Sequence, residues 1–203
     1  YYMGSMDKIK PDTGAITKWK ATYKGPYCLS GKLDGISALY TTEHGEKKLY
    51  TRGNGIEGQD ISYMIPYLML PTEENIVIRG ELIMAKKVFE EKYKTSASNA
   101  RNLVAGISNR KTIYPAEIRD IDFVAYEVIV PELKPSKQME MLEKSNVKTV
   151  INTLITKPSN LTNALLSEKL IAWRTGYMYE VDGVICTNDQ IYPRKKGNPK
   201  SAF

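Results

Sequence analysis

The stretch YCLSGKLDGISALYTTEHGEKKLYTRGNG, residues 27–55, decides the fold. Extended chain is predicted over residues 27–30, 36–42 and 47–51, because apolar and aromatic residues fill these runs and turn-forming residues separate them. Gly45 lies between the second and third runs, where a tight hairpin requires a glycine. The stretch therefore predicts a β-hairpin preceded by a further strand.

Lys32 and Asp34 are two residues apart in this extended chain, so their side chains point to the same face. A lysine amine is protonated in water and attacks an electrophile only where its surroundings favour the neutral form. Lys32 is therefore a candidate nucleophile, and Asp34 is a candidate to orient it. The alternative is that Lys-x-Asp-Gly is an exposed strand that ends in a turn.

The rest of the chain mixes strands and helices without an internal repeat. Residues 1–19 are predicted to be rich in turns, and Ile171 is placed in an apolar stripe of the last helix. Together the patterns predict both strands and helices. Strands are predicted over residues 76–84 and 122–130, and helices over residues 85–94, 136–144 and 161–175.

The composition is that of an ordinary globular protein. The chain has 203 residues, of which 42% are hydrophobic and 26% are charged, enough for one substantial core. Its formal net charge is +6. This mildly basic balance suits a phosphate-rich partner but does not demand one.

The sequence predicts neither a membrane-spanning segment nor a zinc site. The longest apolar run, residues 63–70, contains Pro66 and is far shorter than the roughly 20 residues that a span needs. Cys28 and Cys186 have no CxxC spacing and no neighbouring histidine, which favours reduced thiols and no zinc in this segment. We therefore expect an intracellular, reducing compartment: the cytoplasm, the nucleus or a viral factory.

Seven short motifs follow one another along the chain. Their series resembles the adenylation domain of NAD-dependent DNA ligases over nearly the whole length, and the loop at residues 51–55 resembles that branch rather than ATP-dependent ligases. The resemblance implies an α+β nucleotidyltransferase fold for residues 1–203, with mostly antiparallel sheets flanked by helices. The motifs are Gly4-Ser5-Met6-Asp7, Lys32-Leu33-Asp34-Gly35, Thr51-Arg52-Gly53-Asn54-Gly55, Arg79-Gly80-Glu81, Ala100-Arg101-Asn102-Leu103-Val104-Ala105-Gly106, Tyr126 and Asp182-Gly183-Val184-Ile185.

The resemblance also implies a reaction and a role for each matching residue. Lys32 would form a lysyl-AMP from NAD with Mg²⁺, and the AMP would pass to the 5′-phosphate of nicked double-stranded DNA during replication or repair. The implied site comprises Lys32 and Asp34 for catalysis, Ser5, Met6, Ser30, Arg52, Glu81, Tyr126 and Arg174 for the cofactor, Arg101 and Arg110 for nucleic acid, and Glu180 and Asp182 for the metal.

From the residues alone, several of these positions have structural alternatives. Ser5 and Met6 fit an ordinary turn, and Glu81 fits a surface carboxylate at the end of a strand. Tyr126 fits a core position. The acidic pair near residue 180 could instead form ion pairs with nearby basic side chains.

The chain departs from the family pattern at several positions. Ser30 stands where the family has a glutamate, and Thr187 stands where it has a lysine. A family arginine falls on Asn109, with Arg110 one residue later. The last motif would begin at or beyond Phe203. These departures leave two alternatives open: an ATP-dependent nucleotidyltransferase, or an inactive module that binds nucleic-acid ends.

We expect the chain to be a piece of a longer ligase. It starts with Tyr1 rather than methionine and stops just after the basic run at residues 192–200. The nicotinamide-binding domain, the OB-fold and the later domains of the family are not recognised in this sequence. We therefore expect that the chain does not seal a nick alone. We also expect a monomer.

Overall fold

The computed structural model describes residues 1–11 and 13–203, in which six α-helices and eight strands are present. Short 3₁₀ turns lie at residues 43–45, 62–67 and 158–160. In chain order the elements are α1 (Ala15–Thr22), β1 (Tyr27–Leu33), β2 (Ile36–Thr41), β3 (Lys48–Thr51), β4 (Val77–Ile83), α2 (Lys86–Lys92), α3 (Ala100–Ser108), α4 (Pro115–Arg119), β5 (Asp122–Val130), α5 (Pro135–Lys144), β6 (Lys148–Thr149), β7 (Asn152–Ile155), α6 (Asn163–Gly176) and β8 (Val181–Asn188).

The strands form two sheets. The larger has the order β3-β2-β4-β5-β6 and is antiparallel except between β5 and β6, and the smaller has the antiparallel order β7-β1-β8. Helices accompany both sheets, as the contacts of α5 with β5 and of α6 with β8 show. The predicted α+β fold with mostly antiparallel sheets is confirmed.

A two-residue crossing joins the smaller sheet to the larger one. β1 ends at Leu33 and β2 begins at Ile36, so Asp34 and Gly35 alone connect them. A Cβ atom on Gly35 would lie 2.4 Å from the carbonyl oxygen of Leu82, a clash that only glycine avoids. The crossing therefore fixes the end of β1 against the middle of the larger sheet.

The larger core fills the space around the five-stranded sheet, and a second core lies beside the smaller sheet. Burial of one large apolar side chain contributes roughly 1.5–3 kcal/mol. Members of the second core include Ile16, Tyr27, Leu29, Leu161, Trp173, Cys186 and Phe203.

Two predictions about secondary structure and packing are wrong. The turn-rich reading of residues 1–19 overlooked α1, which buries Ile16 in the second core and is therefore stabilised by tertiary packing. Ile171 is 68% exposed and lies outside the packed side of α6, whereas Trp173 of the same helix is buried. In the described part of the chain, no helix is long and apolar enough to cross a bilayer.

Both cysteines are free and buried, as predicted. Cys28 lies on β1 and Cys186 on β8, the strand paired with it. Burial raises the pKa of the Cys28 thiol to about 12 and raises that of Cys186 further. These thiols are structural side chains.

Candidate active site

A cavity of about 520 Å³ lies where the two sheets meet. Its wall combines the end of β1, the glycine-rich loop after β3, the middle of β4 and β5, one side of α3 and the start of β8. Most of the predicted site residues line it: Ser5, Met6, Lys32, Asp34, Arg52, Glu81, Arg101, Tyr126 and Asp182.

Lys32 and Asp182 form an ion pair in this wall. Lys32 faces Gly183 in the β1–β8 register, so its side chain lies beside the carboxylate of Asp182. Its Nζ is 3.3 Å from Asp182 Oδ1 and 3.4 Å from Oδ2. Both side chains are partly exposed, at 38% and 43%, so the pair is open to a ligand and screened by water.

Helix α3 places the guanidinium of Arg101 near Asp34, the carboxylate of the Lys32-Leu33-Asp34-Gly35 motif. Asn99 caps the helix by accepting a hydrogen bond from the Asn102 backbone N–H at 2.8 Å. Leu103 and its apolar neighbours are buried, which turns the opposite side of the helix toward the cavity. Arg101 on that side lies 3.8 Å from Asp34 Oδ1 through its Nη1. Asp34 is thus held between a helix and the Lys32 strand.

Arg52 holds the N-terminal segment at the cavity. Its Nε donates a hydrogen bond to the Met3 carbonyl at 2.8 Å, and the Met3 N–H donates to the Gly55 carbonyl at 3.0 Å. The loop needs glycine here, because Gly53 has φ +54° and a Cβ on it would collide with the Glu57 carbonyl.

Glu81 is a buried carboxyl in the cavity wall. It is 8% exposed, and burial raises its pKa to about 8, although the nearby Arg79 guanidinium acts in the opposite direction. Burial therefore favours the protonated form of this carboxyl. A protonated carboxyl can both donate and accept a hydrogen bond, which suits recognition of hydroxyl groups.

Tyr126 belongs to a small polar network that the sequence analysis missed. Its hydroxyl lies 2.8 Å from Ser37 Oγ, which also accepts a hydrogen bond from Arg79 Nε at 3.1 Å. The Arg79 guanidinium carbon lies 5.7 Å from the centre of the Tyr126 ring. The sequence could have indicated both residues, because side chains two positions apart on a strand share a face. Ser37 lies two positions after Gly35, and Arg79 lies two positions before Glu81.

Arg174 and Glu180 lie outside the cavity lining. Arg174 instead supports β8 from behind: its Nε donates to the Val181 carbonyl at 3.1 Å and its Nη2 to the Asp182 carbonyl at 3.2 Å. Glu180 precedes β8 and is exposed, and its carbonyl accepts the Asp34 N–H at 3.0 Å. The structure therefore brings Asp182 to the cavity without Glu180.

Ser30 and Arg110 also lie outside the lining. Ser30 is between Asn152 and Ile185 in the smaller sheet. Arg110 pairs with Glu117 on α4, whereas its neighbour Asn109 lines the cavity. Arg110 therefore does not bring to the cavity the family arginine that is expected at position 109.

The cavity does not contain a complete protein-made metal site. Within residues 1–11 and 13–203, no group of three or more His, Cys, Asp or Glu side chains could hold a metal ion. Of the two predicted metal ligands, Glu180 and Asp182, it is Asp182 that lines the cavity. A single carboxylate fits an ion that takes its other ligands from water and substrate phosphates, as Mg²⁺ usually does.

Comparison with known proteins identifies the family. The profile of the NAD-dependent DNA ligase adenylation domain matches residues 9–196. The chain belongs to this family. The family resemblance inferred from the motifs is thereby confirmed.

Curated relatives of this adenylation domain come from viruses and bacteria. The DNA ligase of Acanthamoeba polyphaga mimivirus is 42% identical over 213 residues, covering 100% of the chain and 33% of the relative. The putative DNA ligase 205R of Invertebrate iridescent virus 6 is 35% identical, covering 100% and 34%. The DNA ligase of Thermosipho africanus is 29% identical, covering 97% and 32%. The chain spans about a third of the length of these relatives.

Solved structures support the nucleotidyltransferase fold of the adenylation domain. A putative ATP-dependent DNA ligase from Aquifex aeolicus superposes with a TM-score of 0.60 at 14% identity, covering 94% of the chain and 47% of that protein. A Lig E DNA ligase superposes with a TM-score of 0.58 at 17% identity, covering 98% and 68%. At these identities the likeness concerns the fold alone.

Proposed function

We propose that this chain transfers the adenylyl group of NAD to Lys32. The Nζ lone pair attacks the adenylyl phosphorus, the bond from that phosphorus to the bridging oxygen breaks, and nicotinamide mononucleotide leaves. The lysine must first lose a proton, and Asp182 at 3.3 Å is within reach to accept it. This Lys32–Asp182 pair on the cavity wall is the observation that carries the proposal.

The other cavity residues fit the parts of the dinucleotide. Tyr126 supplies an aromatic ring for stacking on adenine, and Glu81 supplies a carboxyl for the ribose hydroxyls. Arg52 and Arg101 supply guanidinium groups for phosphate oxygens. Ser5 and Met6 border the cavity where the departing nicotinamide half would lie.

Arg174 is better described as a support of β8 than as a cofactor ligand, because both of its hydrogen bonds go to backbone carbonyls of that strand. Asp34 orients Arg101 through the ion pair between their side chains, and its backbone N–H bonds the Glu180 carbonyl just before β8. Ser30, Arg110 and Glu180 keep their predicted roles only as proposals for states with a ligand or DNA bound.

Mg²⁺ fits this site when it is held by Asp182 and by phosphate oxygens. The ion would neutralise negative charge on the phosphates. The chain's own contribution is to keep Lys32 and Asp182 side by side and to place Arg101 beside Asp34. Neither task needs the metal, because both are fixed by strand register and helix packing.

In the whole ligase, the AMP would pass from Lys32 to the 5′-phosphate of nicked double-stranded DNA, and the 3′-hydroxyl would then displace it. The net charge of +6 favours contact with such a polyanion. Arg101 is 58% exposed at the cavity rim, where it could reach the DNA backbone. DNA replication and repair are the processes that this reaction would serve.

The test is to incubate the full-length protein that carries this chain with Mg²⁺ and either NAD or ATP labelled in the adenylyl group. We expect a denaturant-stable adduct from NAD, located on Lys32 by mass spectrometry. Labelling from ATP alone would favour an ATP-dependent enzyme. The absence of any adduct, together with binding to nicked DNA that Lys32→Ala leaves unchanged, would favour an inactive end-binding module.

A further inference from the structure

The segment Gly4–Asp7 belongs to no helix or strand, and its first three residues border the cavity. Backbone groups outside regular structure need other partners to stay ordered. One side of the segment is secured through Met3, which is buried and bonded to Arg52 and Gly55. The other side is secured by a residue nearly two hundred positions away in sequence.

That residue is Asn198, whose amide bridges two groups of the segment. Its Oδ1 accepts the Ser5 backbone N–H at 2.9 Å, and its Nδ2 donates to Asp7 Oδ1 at 3.0 Å. Donor and acceptor chemistry fixes the orientation of the amide, because the N–H requires an acceptor and the carboxylate requires a donor. Lys200 Nζ adds a contact to Asp7 Oδ2 at 3.5 Å.

The backbones also approach closely at this point. A Cβ atom on Gly4 would lie 2.4 Å from the Gly197 carbonyl oxygen, and Gly197 itself has φ +92°. Gly4 therefore permits an approach that a side chain would prevent, and Gly197 permits a backbone conformation that other residues rarely adopt. The bridge is thus supported by shape as well as by hydrogen bonds.

The residues that follow Asn198 are anchored to the smaller sheet. Trp19 Nε1 donates to the Lys200 carbonyl at 2.9 Å, and Phe203 exchanges two backbone hydrogen bonds with Cys186 of β8. The Trp19 and Phe203 rings meet edge to face with centroids 4.8 Å apart. Asn198 therefore lies just before a segment that is hydrogen-bonded to β8, the strand that also carries Asp182.

We propose that Asn198 is a positioning residue for NAD. It holds the Gly4–Asp7 backbone at the cavity in the geometry that receives the nicotinamide half of the dinucleotide. This inference rests on the proposed function, since it assigns Asn198 to the step that uses NAD. Sealing of DNA that already carries the adenylate does not use that half, so Asn198 has no role there.

The first experiment measures amide hydrogen exchange in the full-length protein without ligand. We expect Asn198→Ala to speed exchange of the Ser5 amide, because its acceptor is lost. Lys196→Ala is the matched control, as Lys196 is exposed in the same loop. Equal exchange of Ser5 in wild type and Asn198→Ala would overturn the proposal.

The second experiment separates the two reaction steps. We expect Asn198→Ala to raise the KM for NAD in Lys32 adenylation about fivefold to twentyfold, as the loss of one or two hydrogen bonds to a loop would. Sealing of a pre-adenylated nick should stay at the wild-type rate. An unchanged KM overturns the positioning role, and so does an equal loss in both steps.

A double variant provides the rescue. Asn198→Asp alone places a carboxylate against Asp7, whereas Asn198→Asp combined with Asp7→Asn exchanges donor and acceptor and restores the bridge. We expect KM to recover in the double variant and not in Asn198→Asp; failure to recover counts against the proposal. If wild type forms no adduct from NAD, the proposed function fails; if Asn198→Ala alone behaves as wild type, only this inference fails.

Discussion

Lys32 Nζ lies 3.3 Å from Asp182 Oδ1, although 150 residues separate the two in sequence. The antiparallel pairing of β1 with β8 creates this contact. Lys32, the proposed nucleophile, and Asp182, its proposed proton acceptor, are therefore positioned by strand register, which is more rigid than a loop.

Substitution of Lys32 is the most direct test of the chemistry. We expect Lys32→Ala to abolish the NAD adduct, a loss of more than about a thousandfold, because no other amine lies in the same position. The thermal midpoint should change little, since the side chain is 38% exposed. Lys48→Ala is the control: Lys48 is also a strand lysine paired with an aspartate, Asp60, but lies on β3. An adduct of normal yield in Lys32→Ala would contradict the proposal.

The acidic pair at the start of β8 offers a matched comparison. We expect Asp182→Asn to slow adenylation about a hundredfold or more, because the amide cannot accept the lysine proton. Glu180→Gln should remain close to wild type, since Glu180 does not line the cavity. Single-turnover adduct formation measures both. An equal loss of adenylation rate in the two variants would support the prediction that both carboxylates hold the metal.

The buried carboxyl of Glu81 predicts a pH dependence of stability. Its pKa rises from 4.5 to about 8 on folding. Between these values the unfolded chain releases a proton that the folded chain keeps, so stability falls as pH rises through this window and levels off above it. The slope is about 1.4 kcal/mol per pH unit at most.

Glu81→Gln should remove this fall of stability with rising pH. We expect the thermal midpoint of wild type to fall more than that of Glu81→Gln between pH 5 and pH 8.5. Glu140→Gln, an exposed carboxylate on α5, should follow wild type. Parallel curves for wild type and Glu81→Gln would show that the carboxyl ionises normally in the folded chain.

Arg174 should affect catalysis through the backbone. We expect Arg174→Ala to lower the adenylation rate about tenfold at saturating NAD with little change in KM, because two hydrogen bonds to β8 carbonyls are lost. Glu168→Gln on the exposed side of α6 is the control. A large rise in KM with an unchanged rate would instead indicate direct contact with the cofactor.

The sequence was sufficient where the determinants are local. Lys32 and Asp34, predicted to share a face of extended chain, both line the cavity although β1 ends between them, and the strands on either side of Gly45 pair as predicted. The Asp60 carboxylate accepts the Ser62 N–H at 2.8 Å, a local hydrogen bond at the start of the 3₁₀ turn over residues 62–67. These features depend on backbone conformations that neighbouring residues dictate.

The remainder depends on contacts between distant segments. The short strands β6 and β7, of two and four residues, have no pattern long enough to be read and form only against β5 and β1. Arg174 sits eight residues before Asp182, but only the packing of α6 turns it toward β8. Asn198 lies in a basic run that fits a disordered end equally well, until Ser5 and Asp7 provide partners for it.

The buried thiols of Cys28 and Cys186 have a practical consequence. Maleimide reagents require an accessible thiolate, and neither cysteine offers one near neutral pH. A fluorophore could therefore be attached at one introduced surface cysteine, for example through Lys196→Cys, while both natural cysteines stay in place. Movement of the chain around a bound dinucleotide could then be followed by the fluorescence of this label in otherwise unaltered protein.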